Sequence, residues 1–356
     1  MDEKTPIDFK LLQRSVLILA IIVSAAALYF IRSFIYPIFL AVLLSYLVYP
    51  LVKLLEKYLR HRGVATFLGV VLSLLVALGF FVFLSSQFSI FADEFPEFSD
   101  QAVENLSRFQ QYISENSVIT FSSDEWLQDR ITLFISEQEN FLTQIFNATT
   151  GTLVALGVQP VYIFFMLYYR HHFRQFLFQV VNEKDHGVLV KILQEITSVT
   201  KNYVTGIFIV VLILCVLNSL GLYIIGVRYA LFLGIISALF NFIPYFGTLI
   251  GGAVPLLYTL VSPEPSHAVG VIILFLIIQV LENNVLTPNI TGGRVAISPL
   301  FTIWAIILGG FAWGIPGTLL SVPFLGIFKV VCQNVKSLAP IAFLLSSKQS
   351  QEAKPT

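Results

Sequence analysis

Charge is what this chain has least of. Only 12% of its 356 residues are charged, about half the roughly 25% of an ordinary soluble domain, which excludes a water-soluble globule of this size. Lys+Arg and Asp+Glu both number 21, so no basic excess points to nucleic acid. Low charge combined with 56% hydrophobic residues also excludes disorder, which needs the opposite balance. Cysteine is scarce as well. Cys215 and Cys332 stand in apolar surroundings without CxxC or Cys/His spacing, and read as small hydrophobes rather than a zinc or redox pair. The chain has no Walker A loop, no HExxH and no paired intramembrane aspartates. No enzyme, ATP-driven pump, metal site or organic cofactor is expected on those grounds.

What the chain has in excess is apolar length. Its mean hydropathy is +0.83, and 33 phenylalanines add apolar bulk without polar atoms. A bilayer core of about 30 Å takes about 20 helical residues, and the apolar runs meet that requirement repeatedly. They fall at 15–31, 34–52, 64–92, 151–169, 206–226, 229–260, 267–286 and 298–330. The fold class expected is an all-α polytopic membrane protein with about eight hydrophobic segments. The first run could pass for a signal peptide, but a second starts almost at once, so a retained helix is the better reading.

The polar stretches set the orientation. Residues 93–150 hold eleven acidic side chains, from Asp93 to Glu139, against Arg108 and Arg130. Leu127, Ile131, Phe134, Phe141 and Ile145 recur there at helical spacing, which predicts amphipathic helices. Residues 170–203 are basic, and Val188, Ile192, Ile196, Val199 and Tyr203 predict another amphipathic helix. Lys and Arg gather before the first run, between the second and third, after the fourth and at the C-terminus. The positive-inside rule then puts both termini in the cytoplasm and the acidic stretch outside, for a chain expected in the plasma membrane. The expected organisation is an N-terminal transmembrane scaffold at 1–92, extracytoplasmic amphipathic helices at 93–150, a fourth span with a cytoplasmic helix at 151–205, a transport unit at 206–330 and a cytoplasmic tail at 331–356.

The transport unit is nearly free of charge and twice broken by Gly and Pro. One break is Asn241-Phe-Ile-Pro244-Tyr-Phe-Gly247, the other Gly309-Gly310-Phe-Ala-Trp-Gly314-Ile-Pro316-Gly317. Gly247-Thr-Leu followed by Val254-Pro255-Leu-Leu is echoed by Gly317-Thr-Leu followed by Val322-Pro323-Phe-Leu, an internal repeat of about seventy residues. Each copy holds one full span and one broken run. Proline removes a helix hydrogen bond, and lipid cannot satisfy the freed carbonyls, so broken backbone survives only inside protein or beside water. Paired broken segments of this kind point to a transporter binding site. Each run is either a kinked helix or a re-entrant hairpin with its tip at Pro244 and Gly247, or at Gly314, Pro316 and Gly317. If both are hairpins, the repeats have inverted topology.

Only two acidic residues lie between Gly206 and Val330. Glu264, in a Pro-Glu-Pro turn, reads as solvated. Glu282 lies near the end of an apolar helix with Gln279, Asn283 and Asn284 within a turn, a polar patch in an apolar setting. An intramembrane carboxylate is a functional candidate by default. Glu282, Asn283, Gln279 and Asn241 are therefore the candidates for binding substrate or a coupling ion, with Asn218 a weaker one. Structural pairing of Glu282 with Arg294 is the rival reading.

The motifs Asn241-Phe-Ile-Pro244-Tyr-Phe-Gly247, Glu282-Asn-Asn-Val-Leu-Thr-Pro288, Ser298-Pro299-Leu and Gly309-Gly310 through Gly314, Gly317, Pro323 and Lys329 resemble the autoinducer-2 exporter family of bacterial and archaeal membrane transporters. The resemblance implies a secondary transporter that forms homo-oligomers and either exports a small solute such as autoinducer-2 or exchanges Na⁺ for H⁺. The partners expected are the lipid bilayer, a small solute and/or Na⁺ and H⁺, with no nucleic acid. A passive oligomeric pore and a membrane scaffold without flux are the rival functions.

Overall fold

The computed structural model describes residues 32–93, 157–243, 247–262, 264–291 and 297–347. The first expected span at 15–31, most of the acidic stretch, Pro244 and Arg294 lie outside the described residues. Within them the chain is helical. The β pairing present is an isolated antiparallel bridge between Ile297 and Ser346. Among the described residues five helices are long and apolar enough to cross a membrane, in agreement with an all-α polytopic membrane protein.

Helix α1 (Arg32–Tyr58) returns through a short turn as α2 (Arg62–Asp93). Gly69 permits their close approach, since a Cβ there would fall 2.5 Å from Val52 Cγ2. The short apolar helix α3 (Gly157–Tyr168) joins them, and Ala41, Val48, Val52, Val70, Ile163 and Leu167 form their common core. Gln159 on α3 donates to the Pro37 carbonyl on α1 at 3.2 Å. By contrast α2 is apolar all round and little buried, with 11% of its most apolar window inside the protein. A helix of that composition faces lipid or other protein.

After a break at Tyr169 comes the short amphipathic α4 (Arg170–Val180). It leads to α5 (His186–Ile225), 40 residues without interruption. At 1.5 Å per residue α5 is about 60 Å long, twice the hydrocarbon thickness. The amphipathic segment expected at 188–203 and the span expected at 206–226 are thus one rod. A single Gly206 weakens a helix by only about 1 kcal/mol, and no proline stands at the junction. Gly226 ends α5 with φ of 93°, the left-handed cap that glycine adopts without strain.

Both broken runs turn back on themselves. The first consists of α6 (Ala230–Phe240) and α7 (Gly247–Val261). At 11 and 15 residues these reach about 16 and 22 Å, each short of a 30 Å crossing. The second is α10 (Pro299–Asn334), which reverses at Gly314. Between the two runs lies α8 (His267–Leu281), which widens into a π-helical turn at Glu282–Leu286 and closes with α9 (Thr287–Thr291). The last helix, α11 (Ala339–Leu345), folds back so that Ser298 donates its backbone N–H to the Leu345 carbonyl at 2.9 Å.

Candidate functional site

The first reversal is held by small residues. Ser237 Oγ donates to the Gly251 carbonyl at 2.6 Å, and a Cβ on Gly251 would run into the Ser237 carbonyl. Closer to the turn, a Cβ on Gly247 would meet the Phe240 carbonyl, Asn241 Cα at 2.5 Å and Asn241 Oδ1 at 2.7 Å. Ser237 lies against Gly251 and Phe240 against Gly247, so the two arms run side by side up to the turn. The first arm is also pressed onto α5. A Cβ on Gly234 would lie 2.5 Å from the Ser219 backbone nitrogen, and Ser219 Oγ donates to the Leu231 carbonyl at 3.3 Å.

Asn241 caps the C-terminal end of α6. It is buried, and its side-chain amide donates to Glu282 Oε2 at 3.3 Å. Glu282 is half-buried and opens the π-helical turn. Turns of that kind are rare and recur at functional sites. Pro288 supplies a reason for this one. It lacks an N–H and its ring crowds the carbonyl four residues earlier, which is that of Asn284, inside the widened turn. Beneath the pair, Val210, Leu214, Ala238 and Ile278 make an apolar floor with Leu286 and Ile290 packed on it. A carboxylate and an amide therefore meet where a broken helix approaches an unbroken one, over apolar ground.

The other candidates distribute unevenly. Gln279 is half-buried and Asn283 is exposed, so the expected patch is drawn toward Asn241 rather than along α8. Asn284 is also exposed and turns back to the Val280 carbonyl at 2.9 Å. Asn218 is 2% exposed and its Oδ1 has no hydrogen-bond partner. Glu264 is solvated beside His267, as its turn predicts, with a side chain 70% exposed.

The second reversal is also built on small residues, although here Ser321 Oγ donates to the Gly317 carbonyl of its own arm at 2.6 Å. Gly309, on the first arm, faces the Gly317 carbonyl and Ser321 Oγ on the second. At Gly314 the backbone takes φ 62° and ψ −142°, a combination open in practice to glycine alone. Pro316 falls in the first turn of the arm that follows, where a missing N–H is harmless. Trp313 stacks edge-on against Phe39 of α1, with centroids 6.0 Å apart, and its buried Nε1 has no hydrogen-bond partner. Trp313 is half-buried and seats the tip against α1. The second tip thus rests on α1, while the first rests on α8. Among the described residues no group of three or more His, Cys, Asp or Glu could hold a metal ion.

This arrangement has relatives. The family model of the AI-2E family transporters matches residues 18–337. The chain belongs to that family. It is 26% identical over 346 residues to YueF of Bacillus subtilis, a provisionally named transport protein, covering 92% of this chain and 90% of that one. To YhhT of Escherichia coli, named in the same provisional way, it is 23% identical over 339 residues, covering 94% and 95%. To the AI-2 transport protein TqsA of Escherichia coli it is 31% identical over 122 residues, 34% of this chain and 36% of that one. As an AI-2E family transporter with several long apolar helices, the chain is a multi-pass protein of the inner membrane.

The π turn, the Ser237–Gly251 crossing and the buried Trp313 donor went unread in the sequence. Pro288 signals the first, and small residues flanking each break signal the second. The third carries no local signal, because Phe39 lies far away in sequence.

Proposed function

We propose that this AI-2E family member is a secondary transporter whose moving parts are the two folded-back runs, and that Glu282 carries the coupling proton or cation. The hydrogen bond from Asn241 to Glu282 is the observation that carries this reading. It ties the tip of a broken helix to a carboxylate on its neighbour, so a change in the charge of Glu282 alters the hold on the tip. A carboxylate in an apolar setting is expensive and functional by default; the carboxylate itself can take a proton, and the Asn and Gln side chains near it carry amide oxygens suited to Na⁺.

In this reading both runs are re-entrant hairpins, related by an inverted repeat. A close small-residue crossing at each turn, Ser237 on Gly251 and Gly309 on Ser321, supports the likeness of the two runs. The two termini are cytoplasmic on the Lys/Arg asymmetry. The exposed apolar surface of α2 is suited to lateral contact with further copies in a homo-oligomer. A small polar solute such as autoinducer-2 is the favoured cargo, on the partial similarity to TqsA, with Na⁺/H⁺ exchange the second reading, on Glu282.

The test is flux in proteoliposomes holding an internal pH dye, under imposed Na⁺ and proton gradients. Wild type should couple the two movements or drive autoinducer-2 export, and Glu282→Gln should lose the coupling while remaining folded. Coupled flux that is unchanged in Glu282→Gln sinks the assignment. Uncoupled flux that rises without saturation favours a passive pore, and no flux at all favours a scaffold.

A further inference from the structure

Helix α4 has no buried residue. At about 100° per residue, Phe173, Phe176, Leu177 and Val180 fall within one arc of about 100°, and all four are exposed, Phe176 by 58% and Val180 by 65%. Arg170 and Arg174 border that arc on one side, and His171, His172, Gln175, Phe178 and Gln179 make up the rest of the helix. The helix begins one residue beyond the end of α3, where a membrane helix meets the headgroups.

A second set of cations lies beside it. Arg170 makes a two-pronged contact with Glu56 of α1, at 3.0 and 2.9 Å. Arg62 donates to the Leu167 and Tyr168 carbonyls at the end of α3, at 3.0 and 2.8 Å. These bonds fix α4 to the α1–α2 turn, where Lys53, Lys57 and Arg60 are all exposed. Glu56 is already engaged by Arg170, and also lies 3.8 Å from Arg62. Glu183 and Asp185 lie past the other end of α4. His171 reports the surplus: desolvation, and then Arg62, Arg170 and Arg174 around it, hold its imidazole below the usual range.

An apolar stripe edged by guanidinium groups is the pattern of a helix lying in the membrane interface. Clustered Lys and Arg beside a membrane helix are attracted to anionic lipid, at about 1 kcal/mol each. We propose that α4 and the α1–α2 turn form one docking surface for anionic phospholipid headgroups, with the Phe173–Val180 stripe in the headgroup–acyl boundary and Lys57, Arg60 and Arg174 on the phosphates. Charge complementarity selects the occupant, and the surface stands whether or not Glu282 couples transport.

The full-length protein, exposed to equal amounts of phosphatidylglycerol and phosphatidylcholine with matched acyl chains, should retain the phosphatidylglycerol in native mass spectrometry. Lys57→Gln and Arg174→Gln should each lower that preference about fivefold, the factor equivalent to 1 kcal/mol, whereas Lys57→Arg and Arg174→Lys should keep it. In bilayers, Phe176→Trp should add fluorescence that lipids brominated near the headgroup quench. Equal retention of the two lipids, an unchanged preference in the glutamine variants, displacement by inorganic phosphate alone, or an unquenched Trp would each overturn the proposal. The wild-type comparison and the Trp probe decide the matter even if a charge variant fails to fold.

Discussion

Asn241 and Glu282 stand 41 residues apart in the chain and 3.3 Å apart in space, amide nitrogen to carboxylate oxygen. Few polar groups could meet here, because only Glu264 and Glu282 are acidic between Gly206 and Val330. The bond also spans two different kinds of helix end. Asn241 closes a short arm that cannot cross a bilayer, and Glu282 opens the widened turn of a helix that can.

Exchanging the two groups tests whether the bond holds the tip. Asn241→Asp sets two carboxylates against each other in an apolar setting and should lower stability by about 1–3 kcal/mol, the range for a buried polar group left without its partner. Adding Glu282→Gln restores one amide and one carboxylate, and stability should recover in a double-mutant cycle. Thermal melting in detergent reads both. A double variant no more stable than Asn241→Asp alone would show that the two side chains act independently.

Gly309 and Gly317 of the second reversal should tolerate nothing larger. A Cβ on Gly317 would strike the Gly309 carbonyl and lie 3.1 Å from Trp313 Cβ, whereas around Gly79 on α2 there is nothing within 4 Å. Overpacking costs about 1–3 kcal/mol and shifts backbone. Gly317→Val should therefore lower the melting temperature and the flux together, and Gly79→Val should leave both near wild type. Measured side by side, equal behaviour of the two variants would contradict the folded-back geometry at Gly314.

Composition and periodicity were enough to read the architecture, because a bilayer permits so few backbone solutions. The break at Gly314 was legible for the same reason, and the Asn241–Glu282 bond joins two residues that the sequence singles out. Three things were not. The join of 188–203 to 206–226 in one 40-residue helix eluded a reading that treats a change from polar to apolar as a boundary, although hydropathy does not interrupt hydrogen bonding. Glu282 was open between binding an ion and pairing with Arg294, and its bond to Asn241 was not read, since pairing across 41 residues depends on how the folded-back run and the helix pack. The seat of Trp313 on Phe39 is a long-range contact with no trace in either segment.

The Glu56–Arg170–Arg62 contacts should hold the N-terminal helices together. Both Glu56 oxygens accept from Arg170, Arg170 also lies over the Tyr49 ring at 5.1 Å, and Arg62 answers carbonyls at the end of α3 that the helix leaves unpaired. Glu56→Gln removes the charge and leaves two guanidinium groups facing each other. The side chains are only about a quarter exposed, so the loss should be on the order of 1–2 kcal/mol, between a surface pair and a fully buried one. A melting temperature unchanged in Glu56→Gln at low salt would relegate the cluster to decoration.

His171 gives the fold a pH dependence whose sign can be worked out. Its folded-state pKa lies below the ordinary imidazole value, through desolvation and then Arg62, Arg170 and Arg174, so the neutral ring is the form the fold favours. In the unfolded chain the ring takes up a proton at about pH 6.5. Below that value the unfolded state binds more protons than the folded one, and stability falls as pH falls. His171→Gln removes the titrating group and with it that part of the loss. Melting curves at about pH 7.5 and about pH 5.5 should therefore separate wild type from the variant more at the lower pH, with His172→Gln controlling for the loss of an imidazole. An equal decline in wild type and His171→Gln would place the pH sensitivity elsewhere, since the three guanidinium groups stay charged throughout.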